Sequence, residues 1–170
     1  MARVYLGLGS NIEPQKNLRL GITELGKRFG MLELSGIYRN AAIGFDGDEF
    51  LNLVVALESD ASPLAVYEIL DDIERLAKRQ RDAPRFAART LDIDLLLYGD
   101  LILNEAPLQV PRVDILEYSF VLGPLAEIAP NLRHPETGRL ITEHWAEFDK
   151  DRHPLVLTRV SLRDTGENLA

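Results

Sequence analysis

Two aspartates one residue apart, Asp92 and Asp94, form the densest chemical feature of this chain. They lie in Arg89-Thr90-Leu91-Asp92-Ile93-Asp94-Leu95-Leu96-Leu97, a short apolar run with β-branched residues that is closed by the turn pair Gly99-Asp100. That is the composition of a strand. Side chains alternate along a strand, so Leu91, Ile93, Leu95 and Leu97 share one face and both carboxylates share the other. Two ionised aspartates at this spacing repel each other. A cation between them relieves the repulsion, and Mg²⁺ is ordinarily held by one or two carboxylates together with substrate phosphates. A solvated strand face has the same spacing, and spacing alone does not separate the two readings.

The residues just before the pair supply the opposite charge. Arg75, Lys78, Arg79, Arg81, Arg85 and Arg89 place six of the 19 cationic residues within fifteen positions. On a chain of net charge −8, a patch that tight suits a small polyanion. The overall charge argues against nucleic-acid or anionic-membrane partners. The absence of cysteine excludes disulfides and thiolate metal sites. No apolar run approaches the length of a membrane span, and Met1 to Tyr5 enters a strand pattern at once, so a cytoplasmic protein is expected. With 170 residues, 46% of them hydrophobic, one domain with a sizeable core is expected.

The elements that must position these groups follow from periodicity. Arg3 to Ser10 alternates as a first strand, with Val4, Leu6 and Leu8 on one side. Gly7-Leu8-Gly9-Ser10-Asn11 lacks the third glycine of a dinucleotide fingerprint and the Gly-Lys-Ser/Thr of a phosphate loop, so a turn at a strand end, with close backbone packing, is the expected reading. Pro14 opens a helix whose stripe is Leu18, Ile22, Leu25 and Phe29, ended by Gly30. Met31 to Arg39 reads as a second strand and Asn40 to Glu49 as a long loop. A third strand spans Phe50 to Leu57, with Phe50, Asn52 and Val54 on the face away from Leu51, Leu53, Val55 and Leu57. Asn is disfavoured inside a strand, so Asn52 is either a ligand-binding amide or a structural one. Ser62-Pro63 caps a second helix reaching about Arg79, with Val66, Leu70, Ile73 and Ala77 inward and Asp71 and Glu74 on an outer face. Leu101 to Asn104 and Leu108 to Val110 read as a hairpin, Phe120 to Pro130 as a short apolar helix, and Leu155 to Leu162 as a late strand. The order β-α-β-β-α-β is that of a ferredoxin-like antiparallel sheet, here an α+β domain with helices packed on the sheet and a C-terminal extension.

The run Arg85-Phe-Ala-Ala-Arg-Thr-Leu-Asp-Ile-Asp-Leu-Leu-Leu-Tyr-Gly99 resembles the signature of the 6-hydroxymethyl-7,8-dihydropterin pyrophosphokinases of folate biosynthesis. The resemblance extends through Tyr5 to Asn11, Phe50-Leu51-Asn52, and Phe120 to Pro130, covering roughly residues 3 to 145. It implies transfer of pyrophosphate from Mg²⁺-ATP to the pterin hydroxymethyl group with release of AMP. By the same resemblance, Asp92 and Asp94 hold two Mg²⁺ ions. Arg79 and Arg89 are catalytic, meeting the phosphates, and Glu74, Arg81, Arg89, Arg112 and Tyr118 bind ATP. The pterin is held by Asn40, Ala42, Ile43, Phe50, Asn52, Phe86 and Phe120. Residues 40–49 and 79–88 correspond to two flexible loops that close over the substrates.

The chain departs from the commoner family pattern at several places. Phe86-Ala87-Ala88 stands for Trp-Gly-Pro, Asn40-Ala41-Ala42 for Thr-Pro-Pro, Arg112-Val113 for His followed by Pro or Tyr, and Tyr118 for a nucleotide-facing Arg. Residues 1–162 are expected to form a single catalytic domain and 163–170 a frayed tail. A monomer acting on two small-molecule substrates is the favoured form. The alternatives are a non-catalytic pterin- or nucleotide-binding paralogue and a ferredoxin-like RNA-binding module, the latter disfavoured by net charge and the lack of an aromatic-rich RNA-binding strand.

Overall fold

The computed structural model describes residues 1–42, 47–79 and 90–162, leaving the Arg79 side chain outside that description. Its first helix, α1 (Pro14–Phe29), has proline in the first turn, Lys27 and Arg28 against the negative end of the dipole, and Gly30 closing it with an N–H bond to Gly26 O at 2.9 Å. Its second, α2 (Pro63–Arg79), is capped by the Ser62 hydroxyl, which accepts the Ala65 N–H at 3.1 Å. Both lie on one face of an antiparallel sheet that runs β5 (Asp92–Tyr98), β1 (Ala2–Ser10), β4 (Phe50–Ser59), β3 (Tyr38–Asn40), β8 (Val156–Leu157), with β2 (Glu33–Leu34) also paired to β4. The fold is ferredoxin-like, as expected, with β2 and β3 together serving as its second strand.

Alternation along the strands gives the sheet two buried faces. Towards α1 and α2 lie Val4, Leu6, Leu8, Leu51, Leu53, Val55, Leu57, Ile93 and Leu95, with Leu18, Leu25, Val66, Leu70, Ile73 and Ala77 from the helices. The other face carries Tyr5, Val54, Ala56 and Leu96 and is covered by α3 (Asp114–Glu117), α4 (Ser119–Ile128) and α5 (Ile141–Glu147). A hairpin, β6 (Leu103–Glu105) and β7 (Leu108–Val110), leads into the connector before α3.

Three local expectations are corrected. Leu97 does not share the face of Leu91, Ile93 and Leu95. The register jumps from Leu6↔Leu95 to Tyr5↔Leu97, so Leu96 is an extra residue and Leu97 turns to the α4 side. The second strand is interrupted at 35–37, where the Ser35 hydroxyl accepts the Val54 N–H at 2.9 Å. There Glu127 of α4 accepts from the Gly36 N–H and, at 2.7 Å, the Tyr38 hydroxyl, whose pKa burial and that carboxylate push up to about 12. Gly7 and Gly9 lie inside β1, as the Arg3 to Ser10 strand implies, and the turn expected at the strand's end falls only after Ser10, at 11–13. The late strand shrinks to Val156–Leu157. The helix α5 was not expected; Glu143 starts it by accepting the Leu140 N–H at 2.9 Å. The tail 163–170 lies outside the described residues.

Candidate functional site

Gly9 lies in register between Asp92 of β5 and Asn52 of β4, and Gly7 between Asp94 and Val54. All six residues face the α4 side of the sheet. The two glycines therefore leave a strip without side chains between the carboxylate pair and the amide, strands being about 4.8 Å apart. Gly9 is required sterically: a Cβ there would stand 2.5 Å from Asn52 Oδ1. At Gly7 the nearest atom to a Cβ is Leu96 Cδ1 at 3.4 Å, an ordinary contact. Beyond the strip, Ser10 donates its hydroxyl to Thr90 O at 2.5 Å and Asn11 donates to Asp48 O at 3.2 Å, so the end of β1 ties down the approaches to β5 and β4.

The amide wall is a pair. Asn52 Nδ2 donates to Asn40 Oδ1, Asn40 Nδ2 donates to Ala41 O at 3.0 Å, and both residues are buried. Asn40 ends β3 directly opposite Phe50. Buried amides of this kind hold one another in a fixed orientation and keep lone pairs and protons available for a planar heteroaromatic edge. Ala42 follows in the described chain; Ile43 lies outside it.

On the acidic side, Glu74 reaches over from α2. Its Oε2 accepts the Ile93 N–H at 2.7 Å, satisfying an outward-pointing donor of the end strand midway between Asp92 and Asp94. Burial, aided by the charges of Asp92 and Asp94, pushes the Glu74 carboxyl up to about 7, against the opposing effect of the Ile93 hydrogen bond. Arg112, whose N–H is bonded to Leu96 O at 2.9 Å, sets its Nε 3.8 Å from Asp94 Oδ2 and 3.4 Å from Asp114 Oδ1. That nitrogen is buried without a hydrogen-bond partner, so both contacts are ionic only. Neither the Glu74 bond nor the Arg112 pairing was legible in the sequence; the only hint was Asp114, two residues after Arg112.

The shifted Glu74 carboxyl has a consequence for stability. Its folded value lies above the usual 4.5, so between pH 4.5 and 7 the native state holds a proton that the unfolded chain has released. This contribution to stability is complete below pH 4.5 and lost as pH rises through 7. Glu74→Gln keeps an acceptor for Ile93 and removes the charge. In metal-free buffer the variant is expected to match the parent at about pH 4 and exceed it at about pH 8 by about 2 kcal/mol after allowance for solvent screening, as read by urea unfolding.

The aromatic residues gather at the start of α4. Tyr118 stacks on Phe120 with centroids 5.0 Å apart and planes at 21°, both packed against the α4-side core. The structure thus brings together Asp92, Asp94, Glu74 and Arg112 at β5, Asn40, Asn52 and Phe50 across the glycine strip, and Tyr118 with Phe120 at the covering helix. Arg81, Phe86 and Arg89 lie outside the described residues, as does the Arg79 side chain.

Fold and site define a class: a ferredoxin-like α+β protein with a carboxylate pair and a buried amide pair on either side of a glycine strip. A family model described as 7,8-dihydro-6-hydroxymethylpterin-pyrophosphokinase (HPPK) matches residues 5–130, and the chain belongs to that family. Among its relatives is the 2-amino-4-hydroxy-6-hydroxymethyldihydropteridine pyrophosphokinase of Pseudomonas aeruginosa, 37% identical over 145 residues, covering 83% of this chain and 88% of that one. The Synechocystis enzyme of the same name is 38% identical over 147 residues, covering 85% of this chain and 75% of its own length. Among solved structures, Plasmodium falciparum HPPK-DHPS with STZ-DHP superposes with a TM-score of 0.73 at 14% identity, over 89% of this chain and 44% of that chain. This chain spans under half the length of that HPPK-DHPS protein, and at such identity the likeness concerns the fold.

Proposed function

We propose that this chain transfers the pyrophosphate of ATP to the hydroxymethyl oxygen of 6-hydroxymethyl-7,8-dihydropterin and releases AMP, the folate-pathway activity its family and relatives are named for. The observation that carries the reading is the pairing of an acidic wall with an amide wall across Gly7 and Gly9. Residues 1–162 act as one domain, as a cytoplasmic monomer on small molecules, without nucleic-acid or membrane partners. No helix among the described residues is long and apolar enough to cross a membrane.

Asp92 and Asp94 would hold two Mg²⁺ ions. The donor chemistry fits: both are hard oxygen ligands, and their charge already disfavours ionisation of Glu74. Mg²⁺ is typically held by one or two carboxylates and completes its shell with phosphate oxygens and water. When bound, the ions neutralise polyphosphate charge.

The chain's own residues bind and orient. Asn52 and Asn40 take the polar edge of the pterin, Phe50 and Phe120 take its faces, Phe86 covers it, and Ala42 and Ile43 supply the adjoining wall. Arg79, Arg81, Arg89 and Arg112 meet the phosphates, where permanent charge and planar donors suit oxyanions. Glu74 positions β5 on the nucleotide side, and Tyr118 backs Phe120 with its ring, leaving its hydroxyl for the nucleotide. The hydroxymethyl oxygen, giving up its proton to solvent, bonds to the β-phosphorus as the bond from that phosphorus to the AMP oxygen breaks, a displacement that depends on position and charge neutralisation. The test is chromatography of ATP, Mg²⁺ and 6-hydroxymethyl-7,8-dihydropterin incubated with the protein. AMP and pterin pyrophosphate in equal amounts are expected; ADP, or AMP formed equally without the pterin, would overturn the reading.

A further inference from the structure

Beyond residue 130, where the family match ends, the chain returns to the site. Ser119 of α4 donates its hydroxyl to His153 O, and the His153 ring stands 5.7 Å from that of Tyr118, tilted by 43°. Tyr118 in turn stacks on Phe120. Leu155 occupies the space left by Gly123, where a Cβ would meet its Cδ1 at 2.9 Å. The next residues form β8, pairing Leu157 with Tyr38 and Val156 with Arg39, and Thr158 donates its N–H to Ile37 O at 2.9 Å. Asn40, whose side chain holds Asn52, is the next residue of β3. One segment therefore braces both the aromatic and the amide side of the site.

We infer that His153 is a positioning residue for the pterin: its backbone is held by the Ser119 hydroxyl, and its ring, set beside Tyr118, holds Tyr118 against Phe120 and so sets the plane against which the flat substrate lies. The tilted ring-on-ring contact with Tyr118 is the operative property. A free Tyr118–Phe120 pair samples other rotamers, and its ordering is then charged to ligand binding. The inference rests on the pterin reading of the site; because Tyr118 also lends its hydroxyl to the nucleotide, the pterin effect is expected to exceed the nucleotide effect, not to stand alone.

The experiment is calorimetric titration of the whole chain with 6-hydroxymethylpterin and, separately, with Mg²⁺ and α,β-methylene-ATP, for the parent, His153→Ala and His153→Phe. The alanine variant is expected to bind the pterin about three- to tenfold more weakly, the range of one aromatic pair, and the nucleotide analogue within about twofold of the parent. His153→Phe is expected to restore pterin affinity, which a role through the ring nitrogens or general stability would not permit. In turnover the alanine effect falls on KM for the pterin and leaves kcat in place. Equal weakening towards both ligands, no weakening, or no rescue by phenylalanine overturns the inference while the parent's pterin binding upholds the site reading. Absence of pterin binding by the parent overturns both.

Discussion

Asp94→Ala is expected to abolish AMP formation, by about a thousandfold or more, while moving the melting temperature by only about 2 °C. The kinetic expectation follows from charge. A bound divalent ion contributes several kcal/mol of neutralisation in a phosphoryl transfer, and each 1.4 kcal/mol is tenfold in rate. The structural expectation follows from position. The Asp94 side chain is 40% exposed, so its loss leaves no cavity. The backbone pairing to Gly7 is unaffected, and Arg112 keeps Asp114 at 3.4 Å. Removing one of the charges that raise the Glu74 pKa also relieves repulsion around β5. Substitutions of this kind stay within about 0.5 kcal/mol, which for a chain this long is a shift of a degree or two. Rates come from chromatographic AMP assay and stability from circular dichroism. Near-normal AMP production by a folded variant would remove the metal assignment.

Gly9→Ala is expected to weaken pterin binding by about ten- to a hundredfold and to leave ATP-analogue binding close to the parent's. An added methyl stands 2.5 Å from Asn52 Oδ1, closer than any real contact, so the amide must move. Asn52 cannot move alone, because its Nδ2 is engaged by Asn40 across β4 and β3. Displacing the pair costs the substrate one or two buried hydrogen bonds at about 1–1.5 kcal/mol each. Gly7→Ala is the matched control. Its methyl meets the Leu96 side chain at 3.4 Å, where a small adjustment suffices, so pterin affinity is expected to stay within about threefold. Similar losses from both glycines would mean that the strip serves strand packing and not the amide wall.

Much of this site was legible in the chain because it depends on the two-residue period of strands. Asp92 with Asp94, and Phe50 with Asn52 and Val54, fall on common faces by local geometry alone, and the helical stripe Val66, Leu70, Ile73, Ala77 is buried as its spacing predicts. The order of elements, and with it the ferredoxin-like topology, follows from the same reasoning. The glycines were visible too, as Gly7 and Gly9 at the period of the aspartates. What they make room for was not visible, since Asn52 is more than forty positions away and joins them only through register.

Tertiary structure decided the rest. A single extra residue at Leu96 turns Leu97 to the opposite face, and no local signal marks it, because the bulge is a property of the β1–β5 register and not of either strand. Glu74 looked like one of an exposed acidic pair on α2; packing α2 against the end of the sheet converts it into the acceptor for Ile93. Arg112 found Asp94, and His153 found Tyr118, because long connections bring distant groups within a few ångströms. By itself the sequence determined which residues share a face and which chemistry they carry. Only the folded chain decided which faces meet, since a partner's identity depends on register and layer packing, which are long-range properties that local periodicity does not contain.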